Sequence, residues 1–496
     1  MKKQILRLGK NSMIYGVGKV LTRFINLLLL PLFTAYLTPS DYGVLALLAL
    51  LSFVAHPVFS LGLSAAMGPS YFQGNNAQQK SRTIWTSFLI LLGSVTILII
   101  IAWLFPHQLS MIALQSPEYG HLVSLTLTGC GINILSTPFT HRIQFEERAQ
   151  AFVLITLIAA LISIALSVIA VVLLGWGVKG MVISQLLGHA IHFLIFFIAG
   201  ARETIFCYSK PIARELLRLG IPLVPSFAFL FILLQSNRYI LQWFEGLEQV
   251  GIYSVGFNIG MVMAVAVSAV STAWYPFFMS YMEKQNEAEV LFGRIFTYYV
   301  YLFGTLCMLF FIGAKLVVLI MTQPDFHGAY VVVGFAASAQ FFMGVFNMFL
   351  PGMYYTKEVR YVALVQGLAA FVSVMINIVM IRWAGLFGAA IALSLGQLLM
   401  AVFQYLWNIY RKENYVKIKY EWSRIASFSV LFMFVAVATL IGRELTIFME
   451  AFYTLFLTAT IFTVIFFMLK KNERGFIMQQ LLFLKSHKAS PVRYND

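Results

Sequence analysis

Apolar runs of about twenty residues recur from one end of this 496-residue chain to the other. A helix of about twenty residues crosses the ~30 Å hydrocarbon layer of a bilayer, and inside that layer the backbone must satisfy its own hydrogen bonds. The pattern predicts an all-α polytopic membrane protein. Fourteen spans are expected, over residues 12–36, 42–64, 83–104, 119–140, 151–174, 180–201, 219–243, 251–276, 295–321, 329–352, 362–382, 386–409, 425–442 and 448–469. Charged residues make up 11% of the chain, against about 25% in a soluble domain. No polar stretch is long enough for a soluble domain; the longest segment outside the spans is the tail from Lys470.

The net charge is +15. In a soluble protein this would suggest nucleic-acid binding. Here the placement of the charge argues for membrane topology instead, and no nucleic-acid partner is expected. With the N-terminus in the cytoplasm, Lys2, Lys3, Arg7 and Lys10, every second loop and the tail together hold 27 of the 34 basic residues. The other side receives Lys179, Lys315, Arg382 and Arg443, all near span ends. This bias predicts an even number of spans with both termini in the cytoplasm. The basic start precedes an apolar run too long for a signal peptide, with no small-x-small cleavage site after it, so it reads as a retained first span.

An internal repeat organises the spans. Under a shift of 208 residues, Asp41-Tyr42-Gly43-Val44 meets Gln249-Val250-Gly251-Ile252. Ile112 and Gln115 meet Ile320 and Gln323, and Gly177, Gly180 and Gly188 meet Gly385, Gly388 and Gly396. Ala159, Ala160 and Ser163 match Ala369, Ala370 and Ser373 two residues out of register. The shift covers six spans, an even number, so both halves have the same orientation and a pseudo-two-fold along the membrane normal should relate them. The expected division is a six-helix lobe over 1–210, a second over 211–415, two additional helices over 416–470 and a basic tail over 471–496. Pro or paired Gly interrupts many spans, among them at Pro31, Pro57, Pro138, Pro222, Pro225, Pro276 and Pro351, a pattern commoner in transporters than in inert anchors.

Three cations fall inside spans: Lys19, Arg23 and Arg238. Each costs at least ~2.5–3.5 kcal/mol near the bilayer centre. Lys19 and Arg23 are four residues apart, so they share a helix face, with Ser12, Tyr15, Gly16, Thr22 and Asn26 on the same stripe. At ~1.5 Å per residue Arg23 lies ~16 Å into the span and Lys19 ~10 Å. Arg238 stands in Gln235-Ser236-Asn237-Arg238-Tyr239, about five residues inside the outer end marked by Trp243, where snorkelling to the interface is the competing use. No carboxylate falls within the confident spans. The cations are therefore expected to line a water-filled cavity that favours anions. His56, Asn133, Asn258, Gln340, Asn347, Gln366 and Asn377 are further polar residues within spans, and most such residues serve as hydrogen bonds between helices.

The remaining motifs carry little chemistry. Gly16-Val17-Gly18-Lys19 lacks the earlier glycine and the Ser or Thr of a phosphate loop. The eight histidines form no cluster in sequence; His189 and His192 are helical neighbours without acidic or Cys companions, which favours packing over metal. Cys130, Cys207 and Cys307 have neither metal spacing nor a disulfide framework. No catalytic dyad or metal spacing is found, so neither an enzyme nor a cofactor is expected. Gly475 to Leu484 reads as an interfacial helix with basic flanks.

Several segments carry a family likeness. They are Pro31-Leu32-Phe33-Thr34-Ala35-Tyr36-Leu37-Thr38-Pro39-Ser40-Asp41-Tyr42-Gly43, Phe145-Glu146-Glu147-Arg148-Ala149, Arg214-Glu215-Leu216-Leu217-Arg218-Leu219-Gly220-Ile221-Pro222-Leu223-Val224-Pro225-Ser226, and Asn237-Arg238-Tyr239-Ile240-Leu241 followed by Val250-Gly251-Ile252-Tyr253-Ser254. In order and spacing the chain resembles the polysaccharide transporter family (Wzx-type O-antigen flippases) of the multidrug/oligosaccharidyl-lipid/polysaccharide (MOP) exporter superfamily. The resemblance implies two six-helix lobes around a central cavity plus two extra helices. It implies movement of an undecaprenyl-pyrophosphate-linked oligosaccharide from the cytoplasmic to the periplasmic leaflet. The partners it suggests are that lipid-linked substrate, membrane lipid and the polysaccharide polymerase and chain-length machinery. The family's cationic cavity residues fall on Lys19, Arg23 and Arg238, and Asn26, Asn237 and Asn258 complete the expected substrate-binding set. The family often has Asp before the helix-7 Arg; here it is Asn237, which removes one acidic partner and leaves Arg238 freer to meet substrate.

Three other readings compete. A multidrug exporter of the same fold would want a carboxylate in the cavity. A flippase for another lipid-linked glycan, such as a peptidoglycan precursor or a teichoic-type unit, is poorly separated by sequence. A membrane glycosyltransferase, polymerase or ligase would need a larger external loop than residues 105–118 provide.

Overall fold

The computed structural model describes residues 21, 24–25, 27–74, 76–202, 204–282, 284–356, 360–410, 418–441, 447–468 and 473–474. Every regular element among them is helical. Residues 12–20, 22, 23 and 26 of the expected first span, and the expected helix at 475–484, lie outside the described residues.

The N-terminal half runs α1 (Leu30–Tyr36), α2 (Pro39–Phe59), α3 (Leu63–Gln73), α4 (Ala77–Leu104), α5 (Pro106–Leu114), α6 (Gly120–Phe145), α7 (Ala149–Val168) and α8 (Gly177–Ala201). A short helix, α9 (Lys210–Gly220), leads into the C-terminal half. That half holds α10 (Val224–Gly260), α11 (Met263–Met279), α12 (Gln285–Met321), α13 (Tyr330–Phe349), α14 (Pro351–Tyr355) and α15 (Arg360–Tyr410), and α16 (Trp422–Ile441) and α17 (Ile447–Met468) follow.

Ten helices among the described residues are long and apolar enough to cross a membrane, or eleven if the bent pair Phe231–Gly260 and Met263–Met279 forms one span. Two of the helices double back. The 51 residues of α15 would reach ~76 Å if straight, far beyond the hydrocarbon layer. Instead Gly388 packs against the Met380 carbonyl and Gly396 against Ser373, so the arms on either side of Gly385 (φ 51°) lie antiparallel. In α10 the reversal is at Gly246 (φ 82°), and Asn237 meets Tyr253, sixteen residues on. Only glycine enters this backbone region without strain. The expected total of fourteen is not fixed by the described residues, because the start of the first span is outside them.

The repeat appears as repeated contacts. Gly188 packs on Ser163 in the N-terminal half as Gly396 packs on Ser373 in the C-terminal half. Gly180 sits on Ala170 as Gly388 sits on Met380, and Gly177 and Gly385 both turn at φ 51°. The two-residue slip between Ser163 and Ser373 has a structural cause. The N-terminal connection contains a π turn at Ile169–Leu173 and an additional positive-φ glycine, Gly175. Buried apolar side chains form two large cores. One is built chiefly from the N-terminal half and the other from the C-terminal half together with α16 and α17.

The halves meet at one end through a reciprocal contact. Gly43 on α2 lies against the Leu247 carbonyl, and Gly251 on α10 lies against the Pro39 carbonyl. Residues 39 and 43 meet 247 and 251, the same positions under the 208-residue shift, so the contact itself has pseudo-two-fold symmetry. Small residues let the backbones approach this closely.

Lys315 and Glu450 revise the expectation that no carboxylate lies in a span. Glu450 stands in the first turn of α17, where the helix dipole favours an acid, and is only 4% exposed. Its carboxylate accepts from Lys315 of α12 at 3.3 Å. A cavity of about 20 Å³, room for a water molecule, adjoins the pair and is lined by Tyr330, Thr439 and Tyr453.

Candidate functional site

The antiparallel arms of α10 bring together the residues of the third expected cation site. Arg238 is 7% exposed and Asn237 3%. The Arg238 guanidinium lies over the Phe257 ring, 4.5 Å from its centre. Asn237 Nδ2 donates to the Tyr253 hydroxyl, and Tyr253 is fully buried. Around this pair several polar atoms lack a hydrogen-bond partner among the described residues: Gln235 Oε1, Asn237 Oδ1, Arg238 Nε and Ser254 Oγ. Leaving one such group unmade costs about 1–3 kcal/mol, more for a charge. A cluster of them in one helical hairpin is a strong departure from ordinary core packing.

Arg238 has no ion pair with any described carboxylate. Asn237, standing where the resemblance often places Asp, bonds Tyr253 rather than the guanidinium. Among the described residues Arg238 is thus without an acidic partner, but it is covered by Phe257 rather than open. Its fork of five donors suits phosphate and carboxylate oxygens. The aromatic face is a weaker partner, worth about 0.5–2 kcal/mol.

The motifs that carried the resemblance have physical roles beside this cluster. Thr38 and Asp41 form a reciprocal capping box at the start of α2. Tyr42 packs edge-on against Phe326 of the other half, with ring centres 5.1 Å apart. Gly43 and Gly251 make the backbone contact between halves. Ser254, with its unsatisfied hydroxyl, is one turn beyond Gly251. The closed end of the molecule and the buried polar cluster are therefore adjacent. Farther along, Glu146 accepts from Arg142 Nε at 2.8 Å and pairs with Arg148 at 3.2 Å, while Arg142 also donates to the Gly200 carbonyl. That motif ties α6 to α8.

The expected site residues are thus divided. Lys19, Arg23 and Asn26 lie outside the described residues. Asn237 and Arg238 come together with Tyr253 and Phe257. Asn258 is exposed, on a different face of its arm from the buried Tyr253 and Phe257, and does not join the cluster. The other polar residues within spans mostly make packing contacts. Asn347 Nδ2 donates to Ser271 Oγ at 3.0 Å, and Asn377 Nδ2 to the Ser373 carbonyl at 2.8 Å. Asn133 meets His189 at 3.2 Å, and His56 of α2 comes within electrostatic reach of the same imidazole. Two histidines far apart in sequence, His56 and His189, are therefore close in the N-terminal half. No group of three or more His, Cys, Asp or Glu among the described residues could hold a metal. Sequence reasoning missed Phe257 as the partner of Arg238 and the unsatisfied amide of Gln235 on the same arm. Gln235 was visible as the start of the same polar run, whereas Phe257 had no signal, because the fold-back at Gly246 decides what faces Arg238.

Comparison with known proteins places this arrangement. The chain superposes on an inward-facing multidrug resistance MATE family transporter of the MOP superfamily (TM-score 0.63, 16% identity, 86% of this chain and 99% of the other). It also superposes on the lipid II flippase MurJ in an inward closed conformation (TM-score 0.69, 12% identity, 92% and 98%). A third match is a MOP superfamily transporter from Pyrococcus furiosus with a binding pocket of reversed polarity (TM-score 0.51, 17% identity, 86% and 96%). At these identities the likeness concerns the fold. No curated protein sequence matches. The sequence profile of the polysaccharide biosynthesis protein family matches residues 8–282, more than half the chain. With two repeated halves in the fold of the MOP transporters, and that family's profile along its first 282 residues, the chain belongs to the polysaccharide biosynthesis protein family.

Proposed function

We propose that this protein is a flippase, not an enzyme, and that it moves an undecaprenyl-pyrophosphate-linked oligosaccharide, an O-antigen or similar repeat unit, from the cytoplasmic to the periplasmic leaflet of the inner membrane. The family profile supports a role in polysaccharide biosynthesis, and the fold is one on which transporters are built. The observation that carries the reading is Arg238: a buried guanidinium beside the contact between two repeated halves, held by an aromatic ring instead of an acid. A sugar pyrophosphate is large, polar and anionic and cannot cross hydrocarbon. A cationic path between two lobes, residues 1–210 and 211–415, replaces its hydration while the lipid tail remains in the bilayer. Lys19 and Arg23 supply the other cations of that path, and Asn26, Asn237 and Asn258 the neutral donors.

In the described state the end carrying Gly43 and Gly251 is closed. The charge bias of the loops assigns that end to the periplasm and both termini to the cytoplasm. Rocking of the lobes opens the reciprocal glycine contact and exposes the Arg238–Phe257 pair of α10 to the path between them, where the anion takes the place of the ring. The polymerase and chain-length machinery would receive the product.

The test is a deletion strain. Lipid-linked repeat unit should accumulate in the cytoplasmic leaflet, and the wild-type gene should restore surface polysaccharide. Genes carrying Arg23→Ala or Arg238→Ala should not, at equal protein level. Wild-type surface glycan with both variants refutes the cationic path. Accumulation of a peptidoglycan precursor or a teichoic-type unit instead would keep the mechanism and change the glycan.

A further inference from the structure

The segment joining the halves carries a charge pattern that the transport path does not use. Within α9, Ala213, Leu216 and Gly220 are buried and face the N-terminal half, where Gly220 lies against the backbone of Leu61 and Gly62 at the break between α2 and α3. The preceding stretch is also anchored. Trp85 Nε1 donates to Thr204 Oγ1 at 3.0 Å, and the Ser209 N–H donates to Thr86 Oγ1 at 3.1 Å. One face of the segment is therefore fixed to α4.

The other face is cationic and greasy together. Lys210, Arg214 and Arg218 are exposed at i, i+4 and i+8, on one stripe. None forms an ion pair with a described carboxylate, Glu215 included. Like charges at this spacing oppose helix formation. Beside them Ile205 is 68% exposed, Phe206 62% and Tyr208 55%, and Leu219 and Ile221 are exposed as well. The apolar group disfavours open water and the cations disfavour hydrocarbon. A segment that links the ends of two spans meets both demands at the headgroup layer.

We propose that residues 204–223 form an interfacial strap whose Lys210, Arg214 and Arg218 bind the headgroups of anionic phospholipids while Ile205, Phe206 and Tyr208 enter the acyl boundary. The complementarity is direct: three cations without a partner among the described carboxylates suit the one surface of the bilayer that is dense in phosphate and carries net negative charge. Because the strap is the covalent link between the halves, headgroups held there bear on both.

Cys207 offers a native probe, since it is half-buried on the strap while Cys130 and Cys307 are buried. The full chain, carrying an environment-sensitive fluorophore at Cys207, is reconstituted in phosphatidylcholine vesicles containing either brominated phosphatidylglycerol or the same fraction of brominated phosphatidylcholine. Quenching should be stronger with the anionic lipid. About fivefold of local enrichment should be lost for each cation removed, as in Arg214→Gln, and high salt should weaken the preference. Arg214→Lys should retain it. The triple change Lys210→Gln, Arg214→Gln and Arg218→Gln should quench equally with both lipids. Equal quenching in the wild type overturns the proposal. So does a preference that survives the triple change, or, should that variant not insert, one unchanged in Arg214→Gln.

Discussion

Two cations within the helical bundle, Lys315 and Arg238, are treated in opposite ways. Lys315 of α12 reaches a carboxylate, Glu450 of α17, at 3.3 Å, and the pair joins the last two helices to the C-terminal half. Arg238 of α10 reaches no acid among the described residues, and the face of Phe257 covers it. An ion pair inside a bundle fixes an arrangement, because separating the partners strands a charge. A guanidinium under an aromatic ring keeps its donors available to a better partner. Lys315 therefore reads as a fastening and Arg238 as a contact awaiting an anion.

Glu450→Gln challenges this contrast most strongly. It takes the charge of Glu450 away from Lys315 and should lower stability by about 3 kcal/mol, since the Lys315 side chain is only 16% exposed. Thermal unfolding in detergent measures the effect, and replacing Lys315 with Met in the same chain should restore most of it. An unchanged unfolding temperature in the single variant would mean that the pair fastens nothing.

Arg238→Met comes next. Transport should fall about 10–100-fold, the loss of a charge-assisted hydrogen bond of about 1.5–3 kcal/mol, while stability holds or rises. A loss of stability matching that of Glu450→Gln would make Arg238 a fastening too. Phe257→Leu should cost about 1 kcal/mol of stability and raise affinity for a lipid pyrophosphate about fivefold, since the ring no longer competes for the guanidinium. Weaker binding would show that Phe257 positions Arg238 for the anion.

Asn258→Ala should alter stability by under about 0.5 kcal/mol, because the side chain is exposed. Slower transport at unchanged stability would put this amide on the substrate path; wild-type transport would remove it.

The same two sites show what the sequence made legible. Apolar runs and their interruptions displayed the helical bundle, because span length is set by the bilayer. Repeat glycines survived comparison because close backbone approach tolerates no side chain, and Gly43, Gly188, Gly251 and Gly396 all proved to be contact points. Arg238 stood out by its cost in a span. Its covering did not, because a ring nineteen residues away meets it only through the reversal at Gly246. Glu450 escaped notice for a related reason. It lies close to the start of a span, where a carboxylate is ordinary, and Lys315 likewise stands near the end of its own. Only tertiary packing shows that the two meet.

The central claim is that a pyrophosphate-bearing lipid crosses between the halves by way of Arg238. The direct test reconstitutes the purified chain in vesicles loaded in one leaflet with undecaprenyl-pyrophosphate-linked oligosaccharide and measures arrival of the glycan in the other leaflet. The wild type should move it, and Arg238→Met, folded and equally inserted, should move it about 10–100-fold more slowly. No translocation by the folded wild type, or translocation undiminished in Arg238→Met, would contradict the account.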